Sequence, residues 1–149
     1  MNENQDERCV MPIRFDGQCP VYANAFAAGL DLHVANPEAL VFETGDHATV
    51  HTGVRVALPR GHFGLIAIRS GLGMKGLVLS NGVGIIDEDY RGEIRIPLYY
   101  HGSGALRVEP GERVAQMVVI PYVQPVLQPC DALDETERGS EGFGSSGRF

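Results

Sequence analysis

Hydrophobic and polar residues alternate along much of the chain, which is the pattern of β-strands that have one buried face. Leu30, Leu32 and Val34 share one face of a predicted strand, so Asp31 points to the other. Comparable short segments, many of them followed by Gly or Pro turns, lie at residues 10–15, 21–22, 40–42, 49–58, 62–69, 77–79, 93–101, 106–109 and 113–123. Roughly nine to eleven short strands predict a β-sandwich or barrel such as a jelly roll.

Two segments interrupt this pattern. Residues 70–76 are rich in glycine, so we expect no more than one helical turn there and no helix longer than two turns elsewhere. Pro97 falls inside the strand predicted for residues 93–101. Because proline has no amide hydrogen to donate, it predicts an edge, a bulge or a strand end at that point.

The segment between the apolar runs 77–79 and 94–98 holds the candidate chemistry. Its turn-rich centre contains three acids, one tyrosine and three glycines, which predicts a β-hairpin with a functional tip. Three consecutive acids most often form a solvated turn. Next to Ile85 and Ile86, however, a partly buried Asp87 would cost several kcal/mol unless it were paired or used in chemistry. Asp87 is therefore a candidate general base.

Another interpretation of the same acids can be excluded. A calcium loop of the EF-hand type that started at Asp87 would place Arg91 at its fifth position and Leu98 at its twelfth. Both positions require oxygen ligands. The glycines here suggest instead that main-chain groups contact a ligand.

Composition narrows the class of protein. A chain of 149 residues that is 44% hydrophobic fits one globular domain with a core. A net charge of −7 argues against nucleic acid as a partner, although a few local arginines and a divalent cation could still bind a small phosphorylated ligand. No apolar run is long enough to span a membrane, and the acidic residues 1–7 are unlike a signal peptide, so we expect a cytoplasmic protein with no membrane partner.

Cysteines and histidines give no metal or disulfide pattern. Cys9, Cys19 and Cys130 are far apart and predict free thiols. His47 and His51 are four residues apart on a predicted strand, where we expect surface side chains rather than metal ligands.

The C-terminal residues differ in composition from the rest of the chain. Acids follow Gln128, and glycine and serine then dominate around Phe143. Composition alone favours a disordered tail. Residues 142–147 match the G-x-G-x-x-G pattern, but no strand precedes them and no helix follows, which excludes a dinucleotide fingerprint.

Five segments, taken together and in order, resemble the motifs of a known family. They are AGLDL at 28–32, RSGLG at 69–73, NGVGIIDEDYRG at 81–92, PGERVAQ at 110–116 and RGSEGFGSSG at 138–147. This series resembles the homotrimeric dUTPases, which hydrolyse dUTP to dUMP and pyrophosphate. Two positions depart from the common pattern, namely Leu30, where many members have an aromatic, and Ile68, where proline is common.

The resemblance implies a fold and an assembly. The fold would be a distorted jelly roll, in agreement with the predicted strands, formed by residues 1–137. Residues 138–149 would be a flexible arm that closes over the active site of a neighbouring subunit. Each site would be built from three subunits, one supplying the central hairpin, a second the segments around Asp31, Arg69 and Gln116, and a third the arm.

The resemblance also implies a role for individual residues. Asp87 would orient and deprotonate the water that attacks the α-phosphorus. Asn81 and the main chain at Gly84 would bind uracil, and Tyr90, otherwise most simply a core tyrosine, would stack under the deoxyribose. Asp31 would be an outer-shell partner, through water, of a Mg²⁺ ion held by the phosphates. The remaining substrate contacts would come from Arg69, Ser70, Gly71, Gln116, Arg138, Phe143, Gly144 and Ser145.

Other functions compete with this interpretation. A deaminase of the same fold would act on dCTP, and a regulatory module would bind a nucleotide without hydrolysing it. A structural jelly-roll protein would have no need of the arm. Ser70 is not a candidate nucleophile, because no histidine lies at a motif-like position and no G-x-S-x-G elbow is present.

Overall fold

Twelve strands and one short helix make up the regular structure of residues 9–142, the part of the chain that this computed structural model describes. The strands are β1 (Ile13–Phe15), β2 (Val21–Tyr22), β3 (Leu30–His33), β4 (Leu40–Phe42), β5 (His47–His51), β6 (Val54–Val56), β7 (His62–Ile68), β8 (Leu77–Leu79), β9 (Gly84–Ile86), β10 (Arg95–Tyr100), β11 (Leu106–Val108) and β12 (Arg113–Pro121). The helix, α1, is Ser70–Gly73. The expected all-β fold with a single helical turn at residues 70–76 is confirmed.

The strands form two larger sheets and two pairs. The five-stranded sheet has the order β2-β3-β12-β7-β9, and the three-stranded sheet has the order β5-β10-β8. The pairs are β1-β6 and β4-β11, and every pairing is antiparallel. One apolar core joins the sheets, and its fully buried side chains include Leu32, Ile66 and Met117 from the larger sheet and Val50, Ile96 and Leu98 from the smaller.

The single strand predicted for residues 49–58 is wrong, because Thr52 and Gly53 divide it into β5 and β6. Gly53 has a φ of +70°, and a Cβ at this position would collide with the carbonyl oxygen of Asp16. Only glycine fits both conditions without strain. The buried Thr52 hydroxyl donates to the carbonyl of Ile94 at 2.6 Å. The chain therefore changes sheet at this turn, which also brings the strand count above the predicted range.

The central hairpin is only partly as predicted. β8 and β10 do pair with each other, but β9 lies between them in sequence and pairs instead with β7 of the five-stranded sheet. Gly84 begins β9, and a Cβ there would lie 2.9 Å from Cβ of Ile66. The segment that carries Asp87 is therefore held by both larger sheets and is not the free tip of a hairpin.

Pro97 lies within β10, the central strand of the three-stranded sheet, so the prediction of an edge or a strand end is wrong for β10 itself. The pairing of β8 with β10 covers Leu98 to Tyr100 and stops just before Pro97. The carbonyl of Pro97 accepts from the amide of Ser80, which lies immediately after β8. The missing amide hydrogen of proline thus falls where the neighbouring strand has ended.

The cysteines and two of the histidines lie on the surface of the protein. Cys9, Cys19 and Cys130 are free and exposed, as predicted, and the surface positions of His47 and His51 are confirmed. β12 ends at Pro121, and residues 122–142 contain no strand or helix and are almost entirely exposed. Among the residues described here, no helix has the length and apolar character needed to cross a membrane.

Candidate active site

A cavity of about 540 Å³ opens beside the central hairpin, and we call it the Asp87 pocket. It lies where β9 ends and β10 begins, so residues from both larger sheets meet there. Its lining residues are Arg55, Ile85, Ile86, Asp87, Tyr90, Gly92, Glu93 and Arg95.

The three consecutive acids have separate positions. Asp87 lines the pocket and is exposed rather than partly buried, and within residues 9–142 its carboxylate makes no hydrogen bond or ion pair. Glu88 accepts hydrogen bonds from the amide of Gly61 at 2.7 Å and from the hydroxyl of Tyr122 at 3.2 Å. Asp89 is exposed and does not line this cavity. Of the three carboxylates, Asp87 alone is left available to a ligand in the pocket.

Tyr90 is a wall of the same pocket rather than a core residue, since 43% of it is exposed. Its hydroxyl donates to the carbonyl oxygen of Glu93 at 2.9 Å. Its ring lies over Gly92, where any Cβ would collide with the phenol. The glycine and the hydrogen bond together hold the ring in one orientation, as a rigid surface beside Asp87.

Glu93, whose carbonyl oxygen accepts from Tyr90, is itself bound to other segments of the protein through its carboxylate. Its carboxylate accepts from the amide of Gly53 at 3.0 Å, from Nε of Arg95 at 3.0 Å and pairs with Nδ1 of His51 at 3.2 Å. Burial acts to raise the pKa of Glu93, but the hydrogen bonds from Gly53, Arg95 and His51 outweigh it and lower the pKa below its ordinary value. The residue is therefore held as a carboxylate at neutral pH.

A second and larger cavity, of about 700 Å³, is the Arg69 pocket. It lies over one end of the five-stranded sheet, where β7 passes into α1 and where β12 begins. Three cationic side chains and one carboxylate face it, so its walls favour an anionic ligand. The lining residues are Gln18, His33, Arg69, Ser70, Gly71, Leu72, Lys75, Gly111, Glu112 and Arg113.

Asp31 holds two of the three cationic side chains of this pocket. It is 4% exposed, and its Oδ1 lies 3.2 Å from Nε of Arg69 while its Oδ2 lies 3.1 Å from Nη1 of Arg113. Both carboxylate oxygens are thus engaged by guanidinium groups. A buried carboxylate with two such partners fixes their positions well, since each charge-assisted hydrogen bond restricts the geometry of a long side chain.

Residues 9–142 do not offer a complete metal site of their own. Within residues 9–142, no group of three or more His, Cys, Asp or Glu side chains is arranged to hold a metal ion. Asp31 has no oxygen left without a partner. These residues fit a magnesium ion only if it is bound mainly by a phosphorylated ligand and by water, which is the coordination that Mg²⁺ prefers.

Four other predicted contact residues, all in the described part of the chain, lie outside both pockets. Asn81 is exposed in the turn after β8, and Gln116 on β12 covers Gly29, where a Cβ would collide with its amide oxygen. Arg138 is exposed and donates from Nε to the carbonyl of Glu141 at 2.9 Å. Gly84 is buried against Ile66. The predicted contacts of Phe143, Gly144 and Ser145 lie outside the described residues.

The two pockets have no lining residue in common. Asp87 and Tyr90 line one of them, and Arg69, Ser70 and Gly71 line the other. One chain therefore does not bring the predicted base and the predicted phosphate contacts into a single cavity.

Sequence reasoning missed two residues that support the pockets. Glu93 follows a glycine turn and holds three donors, and His33 lines the Arg69 pocket although it is 6% exposed. One signal was present for His33, since it lies two residues after Asp31 and so shares its face of β3. No comparable signal marked Glu93, because its donors come from distant segments.

The comparison with known proteins decides the family. The dUTPase family model matches residues 16–147, which is most of the chain. The chain belongs to the dUTPase family. This confirms the resemblance drawn from the five motifs.

Similar proteins support this family from sequence and from structure. A deoxyuridine 5'-triphosphate nucleotidohydrolase of Acinetobacter baumannii is 45% identical over 131 residues, 87% of each chain. One of the same name from Chromobacterium violaceum is 41% identical over 141 residues, 93% of this chain and 94% of the relative. The structure of Staphylococcus bacteriophage 80alpha dUTPase with dUPNHPP matches with a TM-score of 0.82 and 29% identity, covering 93% of this chain and 99% of that one. The predicted jelly-roll fold of this family is confirmed.

Proposed function

We propose that this protein hydrolyses dUTP to dUMP and pyrophosphate by in-line attack of water on the α-phosphorus. Such a reaction keeps uracil out of DNA and supplies dUMP for dTMP synthesis. The observation that carries the proposal is the family match over residues 16–147, combined with the Asp87 carboxylate, which has no partner among residues 9–142 and lies in a pocket lined by Tyr90. The names of the similar proteins, dUTPase and deoxyuridine 5'-triphosphate nucleotidohydrolase, point to the same reaction.

Asp87 orients the attacking water and takes its proton. In support, its carboxylate makes no hydrogen bond or ion pair in the described part of the protein, while the neighbouring Glu88 is held by Gly61 and Tyr122. Displacement at phosphorus depends mainly on positioning and on charge neutralisation, so one well-placed carboxylate is sufficient and no covalent intermediate is needed.

Recognition of the nucleoside uses the hairpin. Asn81 and main-chain groups near Gly84 bind the pairing edge of uracil, and the ring of Tyr90 lies under the deoxyribose and leaves no room for a 2′-hydroxyl. The hydrogen bond from Tyr90 to Glu93 supports this role, because it keeps the ring in place. Cytosine presents a donor where uracil presents an acceptor, so a site built for uracil leaves buried groups unpaired with cytosine.

The phosphate chain beyond the α-phosphorus occupies the Arg69 pocket. Arg69 and Gln116 hold phosphate oxygens, Ser70 and the main chain of Gly71 contact the oxygen between the α- and β-phosphates, and Arg138 reaches the γ-phosphate. The Asp31 carboxylate holds Arg69 in position. A Mg²⁺ ion, when bound, would neutralise part of the phosphate charge. Asp31 would act on it only through water, because both of its carboxylate oxygens already pair with Arg69 and Arg113.

The complete site is shared between the subunits of a homotrimer. Two observations support this arrangement. The Asp87 pocket and the Arg69 pocket are separate in one chain, and residues 122–142 leave Val126, Leu127 and Leu133 at least 84% exposed. Chain segments of this kind are suited to packing on a second copy. The arm then brings Phe143, Gly144 and Ser145 over the uracil of a neighbouring site.

The test uses dUTP and dCTP separately with the purified protein. Release of pyrophosphate and dUMP from dUTP, with no ammonia from dCTP, is the expected result. Ammonia from dCTP would establish the deaminase alternative, which the comparisons do not favour. Tight binding of dUTP without release of pyrophosphate would indicate a regulatory nucleotide-binding module.

A further inference from the structure

His33 is an unusual residue for the wall of a polar pocket. It is buried, with 6% of its surface exposed, yet its Nδ1 makes no hydrogen bond within residues 9–142. A buried polar atom without a partner is uncommon and calls for an explanation. His33 also lines the Arg69 pocket, so one edge of its ring is enclosed by protein while the side chain also borders the pocket.

The strand geometry places His33 among the charges of this pocket. It shares a face of β3 with Asp31, because the two are separated by one residue, and it lies opposite Arg113 in the register of β3 with β12. Arg69 lies on the far side of Arg113, bound to the same carboxylate. An anion that reaches Arg69 and Arg113 therefore comes close to the imidazole.

The enclosed Nδ1 atom determines which ring nitrogen carries the hydrogen. The ring is buried and lies near the Arg113 and Arg69 guanidinium groups, which disfavours its charged form. A neutral imidazole has one donor and one acceptor nitrogen. A buried acceptor without a partner is tolerated better than a buried N–H without one, which puts the hydrogen on Nε2. Nδ1 is the enclosed nitrogen and His33 lines the Arg69 pocket, so Nε2 is the nitrogen through which the ring can contact a ligand there.

We propose that His33 recognises the phosphate chain by donating a hydrogen bond from Nε2 to an anionic oxygen beyond the α-phosphate. The inference rests on the proposed function, because it requires the phosphate chain to lie in the Arg69 pocket. The α-phosphorus is beside Asp87 in the other pocket, so the oxygens that His33 meets belong to the two terminal phosphates. His33 is a binding residue for these phosphates and takes no part in the attack on phosphorus.

Three substitutions separate this role from simple packing. His33→Phe keeps a ring of similar size but has no donor. His33→Gln places an amide N–H₂ near the position of Nε2, whereas His33→Asn places it near Nδ1. We expect His33→Phe and His33→Asn to raise the KM for dUTP by about 10-fold, the loss of one charge-assisted hydrogen bond, while His33→Gln stays near the wild type. The kcat of all three should remain within about twofold, as for loss of uniform binding.

Two further ligands sharpen the test. The inhibition constant of dUMP, which lacks the terminal phosphates, should not change in any variant. Inorganic tripolyphosphate should stabilise the wild type and His33→Gln against thermal unfolding more than it stabilises His33→Phe and His33→Asn. This second measurement needs no turnover, so it decides on His33 even if the wild type fails to hydrolyse dUTP and the proposed function falls.

Several results would overturn the inference. They are an unchanged KM in His33→Phe, an equal loss for dUTP and dUMP, and equal behaviour of His33→Gln and His33→Asn towards dUTP and tripolyphosphate. If His33→Phe does not fold, the comparison between the glutamine and asparagine variants decides alone, since both are polar and differ only in where the donor lies.

Discussion

Asp31 and Arg69 are joined across β12 by an ion pair between Oδ1 and Nε at 3.2 Å. Asp31 lies on β3 and Arg69 directly follows β7, the two strands that flank β12 in the five-stranded sheet. The second carboxylate oxygen holds Arg113 at the start of β12 itself. One buried acid therefore ties together three neighbouring strands at the point where the candidate phosphate contacts begin.

We expect Asp31→Asn to lower the free energy of unfolding by about 2 kcal/mol, because it weakens two ion pairs of a buried carboxylate whose partners are partly exposed. The KM for dUTP should rise as well, since Arg69 loses its anchor. Urea unfolding and steady-state kinetics measure the two effects. Asp16→Asn is the matched control, because Asp16 pairs with Arg55 at the surface and its loss should change stability by no more than about 0.5 kcal/mol.

The three neighbouring acids should respond differently to neutralisation. Asp87→Asn should reduce kcat by at least about 10³-fold, while a non-hydrolysable imido analogue of dUTP still binds, because the carboxylate acts on water rather than on the ligand. Glu88→Gln should retain turnover but unfold at lower urea concentration, since it weakens the bonds to Gly61 and Tyr122. Asp89→Asn is the control for a solvated charge. An active Asp87→Asn enzyme would refute the proposed base.

The sequence predicted the strands well where the alternation was long. β7 follows the alternating pattern, with Gly64 and Ile66 buried between half-buried neighbours, because each residue's side is determined by the pleat alone. The break at Gly53 was missed because it depends on the carbonyl of Asp16, which lies just after β1 and far from Gly53 in sequence. The position of Pro97 was misjudged for a similar reason, since the length of β8 determines which amides of β10 need partners.

The candidate site shows the same limit. Family motifs picked out Asp87 and Arg69, and the structure places each of them in a pocket. Neither motif nor composition could show that Glu88 is committed to Gly61, because that bond joins segments far apart in sequence. Nor could they show that Asp87 is exposed, as is Ile85 close to it in sequence at 56%. Local pattern identifies residue types that suit a chemistry, but their partners depend on tertiary packing.

Gly84 offers a test of the contact between β9 and β7. We expect Gly84→Ala to destabilise the protein by about 1–3 kcal/mol, because the new Cβ would lie 2.9 Å from Cβ of Ile66 and the two strands would have to separate. Gly71→Ala is the control for stability, since its Cβ would meet nothing within 4 Å and alanine favours the helix α1. Equal unfolding midpoints for the two variants would contradict the tight contact.

The lowered pKa of Glu93 leads to a prediction about pH. A carboxyl group whose pKa is lower in the folded than in the unfolded state stabilises the fold above its ordinary pKa, and this stabilisation is lost as pH falls through the lowered value. Glu93→Gln should therefore be less stable than the wild type at pH 7, and the difference should shrink below about pH 4.5. Urea unfolding at several pH values measures it. Glu38→Gln, at an exposed position, should show no such convergence.

Mixing two inactive variants tests whether the Asp87 pocket of one chain and the Arg69 pocket of another form one active site. Asp87→Asn lacks the proposed base, and Arg69→Gln lacks a phosphate contact but can still hydrogen-bond Asp31. In a mixed trimer, a site is intact when its hairpin comes from an Arg69→Gln chain and its Arg69 from an Asp87→Asn chain. Random assembly from equal amounts makes about one quarter of the sites intact, because each of the two conditions is met half of the time.

The expected result is therefore recovery of about a quarter of wild-type activity after the two variants are unfolded together and refolded. The two refolded separately and then mixed without exchange are the control, and light scattering should give a mass of three times 16.1 kDa. If both residues of a site came from the same chain, no mixed assembly could contain an intact site. Activity would then stay at the level of the separate variants, and the separation of the two pockets in one chain would need a different explanation.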